Sequence, residues 1–292
     1  YLPLDIIKRM IKKGYPSIRK KTLNDQNHRN NIYILNNQVI SKYGDSFISG
    51  IRSVANLIRE MAISGSKIRE LRIITNSLDK KFLDGQQAAI GALNLKNKSF
   101  TEIMDKNLSV NEHQVIGFGS KGKIDTLEAT TDSDFIILIG TLKGELENSL
   151  YNKIIGVENY DIGKSKFDSI LESNINKTLI ESSIANVVKY AVTIGKGGLS
   201  ISLIKMYLIL KSCFGIKVHI SSQLNKEELL FGESFASTLV LVGEKELMEF
   251  QRICNFHSVP CNTIGRLRPE RNITVNKILK VKQEVLATFP TV

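Results

Sequence analysis

Hydrophobic and polar positions along the 292-residue chain follow helical spacing in some segments and strand spacing in others, so both elements are predicted. From Ile48 the apolar side chains recur every three or four residues until Gly65, which is typical of an amphipathic helix and its stop signal. Residues 135–139 form a continuous apolar run, typical of a strand buried on both faces. Other segments with helical spacing are residues 5–21, 82–95, 179–191, 199–213 and 247–254. Other predicted strands are residues 32–35 and 38–40 (joined by a tight turn at Asn36 and Asn37), 71–75, 115–119, 216–220 and 237–242.

The order of these elements predicts an α+β protein of two domains. Strands alternate with helices after residue 134, which favours a larger α/β domain built on a mixed sheet flanked by helices. The preceding half is less regular and predicts a smaller α+β domain. Residues 120–133 form a polar stretch rich in Gly, Asp and Thr, and we place the domain boundary within it. The predicted domains are therefore residues 1–128 and 129–292.

Composition narrows the class of protein. Apolar residues make up 42% of the chain, yet no apolar run approaches the roughly 18 residues that cross a bilayer, so a membrane-spanning protein is not expected. The first residues lack the basic and apolar segments of a secretory signal. The chain has 3 cysteines without paired spacing, which favours neither a disulfide scaffold nor a zinc site. The cytoplasm is therefore the expected compartment.

The net charge of +11 is concentrated in two basic clusters, residues 8–21 and 266–282. Such clusters suit a solvated surface, the attraction of phosphorylated ligands, or nucleic-acid binding. Aromatic residues do not interleave with these charges, and no zinc-finger, RNP-like or KH-like motif is present. A solvated surface is therefore favoured, and the other two interpretations stay open.

Two glycine turns and one polar loop are candidates for chemistry. Residues 195–198 (Gly-Lys-Gly-Gly) precede a helix, where flexible backbone and free N–H groups suit a phosphate, although a packed turn explains the same glycines. Residues 230–234 (Leu-Phe-Gly-Glu-Ser) place a carboxylate and a hydroxyl after a glycine, and a capped turn is the alternative. Residues 106–112 place five polar side chains beside a strand, either for a ligand or for backbone groups. The four histidines have neither triad nor metal spacing.

Several short motifs occur along the chain in the order found in a known protein family. They are Asn107-Leu-Ser109 with Glu112, Val115–Gly117, Asp134–Gly140, Asn148–Tyr151, Gly197–Leu199, Leu230–Ser234, and Val259-Pro260 ahead of Ile264-Gly265. In this order the chain resembles phosphoribosylformylglycinamidine synthase, within the aminoimidazole-ribonucleotide synthetase superfamily. The Phe-Gly-Glu-Ser and Asn-x-Ser strings favour that synthase over selenophosphate synthetase, thiamine-phosphate kinase and the hydrogenase maturation factor. The chain resembles the second of the enzyme's two homologous halves.

The resemblance implies a fold, a reaction and partners. It implies a smaller domain that associates with an equivalent domain through its sheet, and a larger α/β domain. The reaction uses ATP and Mg²⁺ to activate the formyl-amide oxygen of formylglycinamide ribonucleotide, and ammonia from glutamine then displaces phosphate. The implied partners are a homologous synthetase half or a second copy, together with a glutaminase component. The positions that match a nucleotide site, for ATP or ADP, are Asn107, Ser109, Gly197, Gly198, Gly232, Glu233 and Ser234.

Several carboxylates of the resembled family are replaced in this chain. Thr193 and Lys196 stand where the loop before Gly197 normally carries two aspartates. Asn76 replaces an acidic residue at the end of a strand, and Asn56 replaces a glutamate in the first long helix. Because Mg²⁺ requires mostly anionic oxygen ligands, these positions do not favour a catalytic metal. We therefore assign no catalytic residue and expect no autonomous ATP-dependent active site.

The sequence supports three hypotheses of different classes. The first is a divergent second-half segment or subunit of the synthase, which contributes structure or holds a nucleotide. The second is a catalytically dead scaffold that assembles with a homologous domain, often as a dimer. The third is a basic nucleic-acid-binding module, which salt-dependent binding would reveal. A stand-alone kinase of the superfamily comes last, because it requires the missing carboxylates.

Overall fold

The computed structural model describes residues 3–12, 19–25, 28–38, 45–75, 79–95, 99–105, 112–120, 130–157, 166–210 and 213–288. The helices in these ranges are α1 (Pro3–Lys12), α2 (Ser46–Ile63), α3 (Lys80–Ala92), α4 (Leu150–Ile155), α5 (Ser169–Ile184), α6 (Gly198–Ile209), α7 (Lys226–Phe231), α8 (Leu247–Phe256) and α9 (Gln283–Leu286). The strands are β1 (Arg19–Asp25), β2 (His28–Gln38), β3 (Ile68–Thr75), β4 (Ser99–Met104), β5 (Glu112–Ser120), β6 (Phe135–Gly140), β7 (Tyr190–Thr193), β8 (Gly215–Val218), β9 (Ser237–Val242), β10 (Cys261–Arg268), β11 (Ile273–Val275) and β12 (Leu279–Val281). Helices and two mixed sheets confirm the expected mixture of elements.

The first sheet has five strands in the order β1-β2-β5-β3-β4, of which only the pair β3 and β4 is parallel. From Leu71 to Thr75 in β3 and from Gln114 to Ser120 in β5 every second residue is buried, as expected for a sheet with one face on the core. The buried positions include Leu71, Ile73 and Val115, which join one core cluster with Leu57 of α2 and Ile90 of α3. Helices α2 and α3 therefore cover one face of this sheet.

The second sheet has seven strands in the order β12-β11-β8-β10-β6-β9-β7. Its central strands β6 and β9 are buried at every position, which for β6 confirms the expectation from its continuous apolar run. On one face Ile136 and Leu239 pack in the cluster that contains the apolar residues of α6. On the other face Ile137 and Val240 join the cluster that contains α2, α5 and α8. Helix α2 thus shares one core with both sheets.

The pattern along the chain located most of the central elements but misplaced several boundaries. Helices α2 and α8 and strands β3, β5, β6 and β9 occur where the periodicity predicted them. The helical segments predicted at residues 82–95 and 199–213 end earlier, at Ala92 and Ile209. Strands β4, β10, β11 and β12 were not predicted. The predicted domain boundary falls largely on residues 121–129, which lie outside the described residues.

Three predictions in strand-rich regions are wrong, each because pairing overrides local spacing. Asn36 and Asn37 do not form a turn, since β2 runs through them and pairs with β5 at Gln114 and His113. Residues 19–21 belong to β1 and pair with β2, so the basic helix ends by Lys12 among the described residues. Residues 179–191 do not form one helix, because α5 ends at Ile184 and β7 begins at Tyr190.

Candidate functional site

The two glycine turns singled out from the sequence pack directly against each other. Gly198 has a φ of +65°, and a Cβ there would lie 2.6 Å from the carbonyl carbon of Phe231 and 2.8 Å from the carbonyl oxygen of Gly232. Gly232 in turn leaves no room, because its Cβ would lie 2.7 Å from the Cα of Gly144. The two turns, residues 197–198 and 230–234, therefore form one packed unit. Their backbones approach so closely that positions 198 and 232 require glycine.

Glu233 lies at the centre of this unit. Its side chain is buried, and Oε1 accepts hydrogen bonds from the Gly197 N–H at 3.0 Å and from the Leu150 N–H at 2.6 Å. Leu150 begins α4 and Gly197 caps α6, so the carboxylate lies at two helix N-termini, where a negative charge is stabilised. The Glu233 N–H also donates to the Glu145 carbonyl oxygen at 2.7 Å. The carboxylate is therefore held in one orientation.

Three predicted binding residues remain, and the structure describes one of them. Ser234 is buried, and its Oγ accepts a hydrogen bond from the Lys143 N–H at 2.8 Å. Asn107 and Ser109 lie outside the described residues. The structure thus brings together Gly197, Gly198, Gly232, Glu233 and Ser234.

Lys196 lies near the charges of Arg52, Lys153 and Glu233. Burial lowers the pKa of Lys196 to about 8, with further lowering by the positive charges of Lys153 and Arg52 and an opposing effect of Glu233. Arg52 donates from Nη1 to the Glu147 carbonyl oxygen at 2.7 Å, and its guanidinium lies 5.0 Å from the centre of the Phe235 ring. With three cations and one carboxylate, this group carries a net positive charge. Such a charge favours an anionic ligand.

The positions where the resembled family has carboxylates make other contacts here. Asn56 accepts a hydrogen bond at Oδ1 from Arg59 Nη2 at 2.7 Å. The Thr193 hydroxyl donates to the Glu60 carboxylate. The space that a Cβ of Gly195 would enter is open, with the Asn56 amide nitrogen 4.0 Å away. Asn76 lies outside the described residues.

Arg52 and Glu60 were not among the residues predicted from the sequence, although their spacing carries a signal. Together with Asn56 they occur at four-residue intervals in α2, which places all three on one side of the helix. Glu60 also faces Lys205, whose pKa is lowered by burial and raised again by the Glu60 charge. Polar residues at helical spacing inside a buried helix thus marked the side of α2 that faces the glycine turns.

The described donors do not fit Mg²⁺. The part of the chain that the structure describes contains no group of three or more His, Cys, Asp or Glu side chains able to hold a metal. The Asn56 oxygen faces a guanidinium, and Lys196 adds a positive charge where a cation would have to lie. A hard divalent cation prefers several anionic oxygens, so these contacts disfavour it.

The basic clusters lie partly on the surface. Among the residues of the second cluster, Arg266, Arg268, Arg271, Lys277, Lys280 and Lys282 are exposed. Arg266 lies over the ring of Phe135 at 4.0 Å. In the first cluster, α1 carries Lys8, Arg9 and Lys12, and the side chains of residues 13–21 are not described. No described helix is both long and apolar enough to span a bilayer.

Comparison with known protein sequences confirms the resemblance to phosphoribosylformylglycinamidine synthase. The PurL subunit of Cutibacterium acnes is 26% identical over 153 residues, which cover 51% of this chain and 20% of the relative. The PurL subunit of Pyrococcus horikoshii is 25% identical over 195 residues, which cover 64% of this chain and 24% of the relative. The chain thus matches about a fifth to a quarter of the length of these relatives. Comparison with models of protein families found no match.

Solved structures share the fold. Thermotoga maritima PurL complexed with FGAR has a TM-score of 0.72 at 14% identity, covering 99% of this chain and 50% of that one. The same protein complexed with ATP has a TM-score of 0.68 at 13% identity, covering 99% and 49%. Thiamine-monophosphate kinase from Stenotrophomonas maltophilia has a TM-score of 0.60 at 13% identity, covering 93% and 94%. The chain therefore has the fold of this superfamily.

Proposed function

We propose that this chain is a divergent synthetase half of a phosphoribosylformylglycinamidine synthase, the ATP- and glutamine-dependent ligase of de novo purine biosynthesis. The observation that carries the proposal is the convergence of the two glycine turns on Glu233, since both turns match motifs of that synthase. The chain also covers about half the length of the PurL chains whose fold it shares, which suits one of two homologous halves.

The chain's own contribution is structure or a nucleotide site, and the reaction belongs to a homologous half. Asn56, Thr193 and Lys196 supply no carboxylate where the family carries metal ligands, and Glu60 is engaged by Thr193. The residues present therefore do not support metal-assisted phosphoryl chemistry, and we derive no step through Mg²⁺.

A nucleoside diphosphate or triphosphate suits the positive charge of the site. Arg52, Lys153 and Lys196 place positive charge beside the start of α6, where the N–H groups of Gly197 and Gly198 already have acceptors. The side-chain cations would therefore stabilise the phosphate oxygens. One protein of this fold has been solved in complex with ATP. In this chain, the cations would neutralise the phosphates directly, in place of a bridging metal ion.

The partner we propose is a homologous half, or a second copy, that covers the outer face of the five-stranded sheet. On that face Ile74, Ile116 and Phe118 are only half buried, and Ile103 of β4 has 42% of its surface exposed. Arg72 lies 4.7 Å from the centre of the Phe118 ring on the same face. Apolar side chains on an exposed sheet face favour association through that face. A glutaminase component would complete the assembly.

We also propose that residues 1–128 and 129–292 are two structural domains. Each sheet takes its strands from one side of that boundary, since the five-stranded sheet ends at Ser120 and the seven-stranded sheet begins at Phe135. Helix α2 packs against both.

Native mass spectrometry of the purified chain, with and without ADP and with and without Mg²⁺, tests the proposal. We expect a dimer that binds one ADP per chain and does not require Mg²⁺ for it. The Lys196→Met variant should lose the nucleotide, whereas Lys245→Met, which removes an exposed charge elsewhere, should retain it. A dimer that does not bind ADP would contradict the nucleotide site and favour the scaffold hypothesis. Salt-sensitive binding to nucleic acid would favour the third hypothesis.

A further inference from the structure

A cavity of about 620 Å³ opens at the C-terminal end of α2. Its apolar walls include Ile58 and Met61 of α2, Leu93 after α3, and Ile180 and Ile184 of α5. At 100° per residue, these positions of α2 point to the side of the helix opposite the one that faces the glycine turns. None of the nucleotide-site positions that the structure describes lines this cavity. The cavity is therefore separate from the candidate site described above.

One buried polar side chain in the cavity wall lacks a hydrogen-bond partner. Asn176 of α5 has only 8% of its surface exposed, and its Oδ1 accepts no hydrogen bond from any residue that the structure describes. A buried acceptor without a partner is destabilising, because it has given up its bonds to water. A ligand that donates a hydrogen bond in the cavity would recover that energy.

Charged groups surround the mouth of the cavity. Lys67 and Lys177 are exposed there, and Glu181 is paired with His257 through Oε2 and Nε2 at 2.7 Å. The two lysines outnumber the single carboxylate, so the mouth is positive. An anionic group is favoured at such an entrance.

We propose that this cavity is a second binding site, which takes a small organic anion with an apolar or aromatic body. The apolar walls accommodate the body, Lys67 and Lys177 attract the anionic group, and the Asn176 amide accepts a hydrogen bond from the ligand. A volume of 620 Å³ lies within the range of small-molecule sites, about 300–1,000 Å³. The proposal does not depend on the nucleotide site or on assembly with a homologous half.

The probe for the test is 8-anilinonaphthalene-1-sulfonate, an aromatic anion of suitable size. In a fluorescence titration of the folded chain, we expect saturable binding at one site. Lys177→Glu should weaken that binding by about five- to tenfold, because it replaces an attraction with a repulsion at the mouth. Lys245→Glu makes the same change of net charge on an exposed residue outside the cavity, and it should leave the affinity within about twofold. Equal effects of the two reversals would overturn the proposal.

The location of the bound probe is tested with a single tryptophan, since the chain contains none. Ile184→Trp places it at the cavity, and Ile170→Trp places it on the same helix outside the cavity, about 21 Å away. Both side chains are largely exposed, at 57% and 74%, so both variants should fold, which the thermal midpoint verifies. We expect the probe to quench the tryptophan at 184 more strongly than the one at 170. Equal quenching, or the absence of saturable binding, would overturn the proposal.

Discussion

Arg59 and Glu172 form a buried ion pair, with 3.1 Å between Nε and Oε1 and almost no exposed surface on either side chain. Arg59 belongs to α2 and Glu172 to α5. Arg59 also donates from Nη1 to the Ser237 carbonyl oxygen at 3.1 Å, and Glu172 accepts the Ala236 N–H at 2.8 Å. The pair therefore ties the helix that covers the five-stranded sheet to the start of β9 in the seven-stranded sheet.

Removing one partner of this pair should be strongly destabilising. Arg59→Met leaves the Glu172 carboxylate buried without its counter-charge, and we expect the free energy of unfolding to fall by about 3–5 kcal/mol. Urea unfolding followed by circular dichroism measures the change. Arg252→Met, which breaks an exposed pair with Glu249, should leave the urea midpoint nearly unchanged, because solvent screens exposed charges. The pair has no structural role if the two variants unfold at the same urea concentration.

Lys196 should reduce the stability of the ligand-free chain at neutral pH. Its pKa in the folded state is about 8, below the value of about 10.4 in an unfolded chain, so the folded state binds its proton less tightly. The destabilising contribution of Lys196 has its full size below pH 8, where the side chain is charged in both states. It disappears as the pH rises from about 8 to 10.4. Lys196→Met should therefore raise the thermal midpoint at pH 7, and this gain should shrink by pH 10. A gain that is constant with pH would contradict the lowered pKa.

Glu233→Gln should lower the stability of the fold, because Glu233 links the N-termini of α4 and α6. The substitution keeps an acceptor but removes the charge that strengthens the bonds from Leu150 and Gly197, for an expected loss of about 2–3 kcal/mol. Urea unfolding provides the measurement. Glu244→Gln changes an exposed carboxylate and should alter stability by no more than about 0.5 kcal/mol. A loss for Glu233→Gln as small as that of the control would show that its two hydrogen bonds contribute little.

Gly198→Ala should separate the two glycine turns. The new methyl group would lie 2.6 Å from the backbone of Phe231, in addition to the strain of a φ of +65°, so we expect a loss above about 3 kcal/mol. Gly156→Ala carries the same kind of strain at φ +76° with no atom within 4 Å, and it should cost only about 1–2 kcal/mol. Equal thermal midpoints for the two variants would show that the close approach to Phe231 is unimportant.

Restoring two aspartates should restore a metal requirement. Thr193→Asp would place a new carboxylate beside Glu60, and Lys196→Asp would replace the cation near Glu233 with a second carboxylate. Carboxylate oxygens are the ligands that Mg²⁺ prefers, so the double variant should bind ADP more tightly with Mg²⁺ than without it. Isothermal titration calorimetry compares the two conditions. An affinity that does not respond to Mg²⁺ would count against this loop as the position of a metal site.

The sequence by itself identified the elements that depend on local patterns. The apolar run of β6 predicted a strand, because full burial requires an apolar residue at nearly every position. The helical spacing of α2 predicted a helix, because the apolar residues recur on its packed side. The glycines at 197, 198 and 232 were also identified, since a positive φ or a close backbone approach restricts a position to glycine. The domain split, the roles of Asn107 and Ser109 and the absence of catalytic residues stay predictions.

Only the tertiary structure decided which distant residues meet. Asn36 and Asn37 carry a turn signal, yet pairing with β5 keeps them in a strand, because ladder hydrogen bonds and the register of a whole sheet outweigh a local preference. Nothing local in the sequence indicates that Arg59 meets Glu172, or that Glu233 reaches the start of α6, since these contacts join residues far apart in the chain. The burial and charge of the site residues depend on these long-range contacts, which the local spacing of residues does not encode.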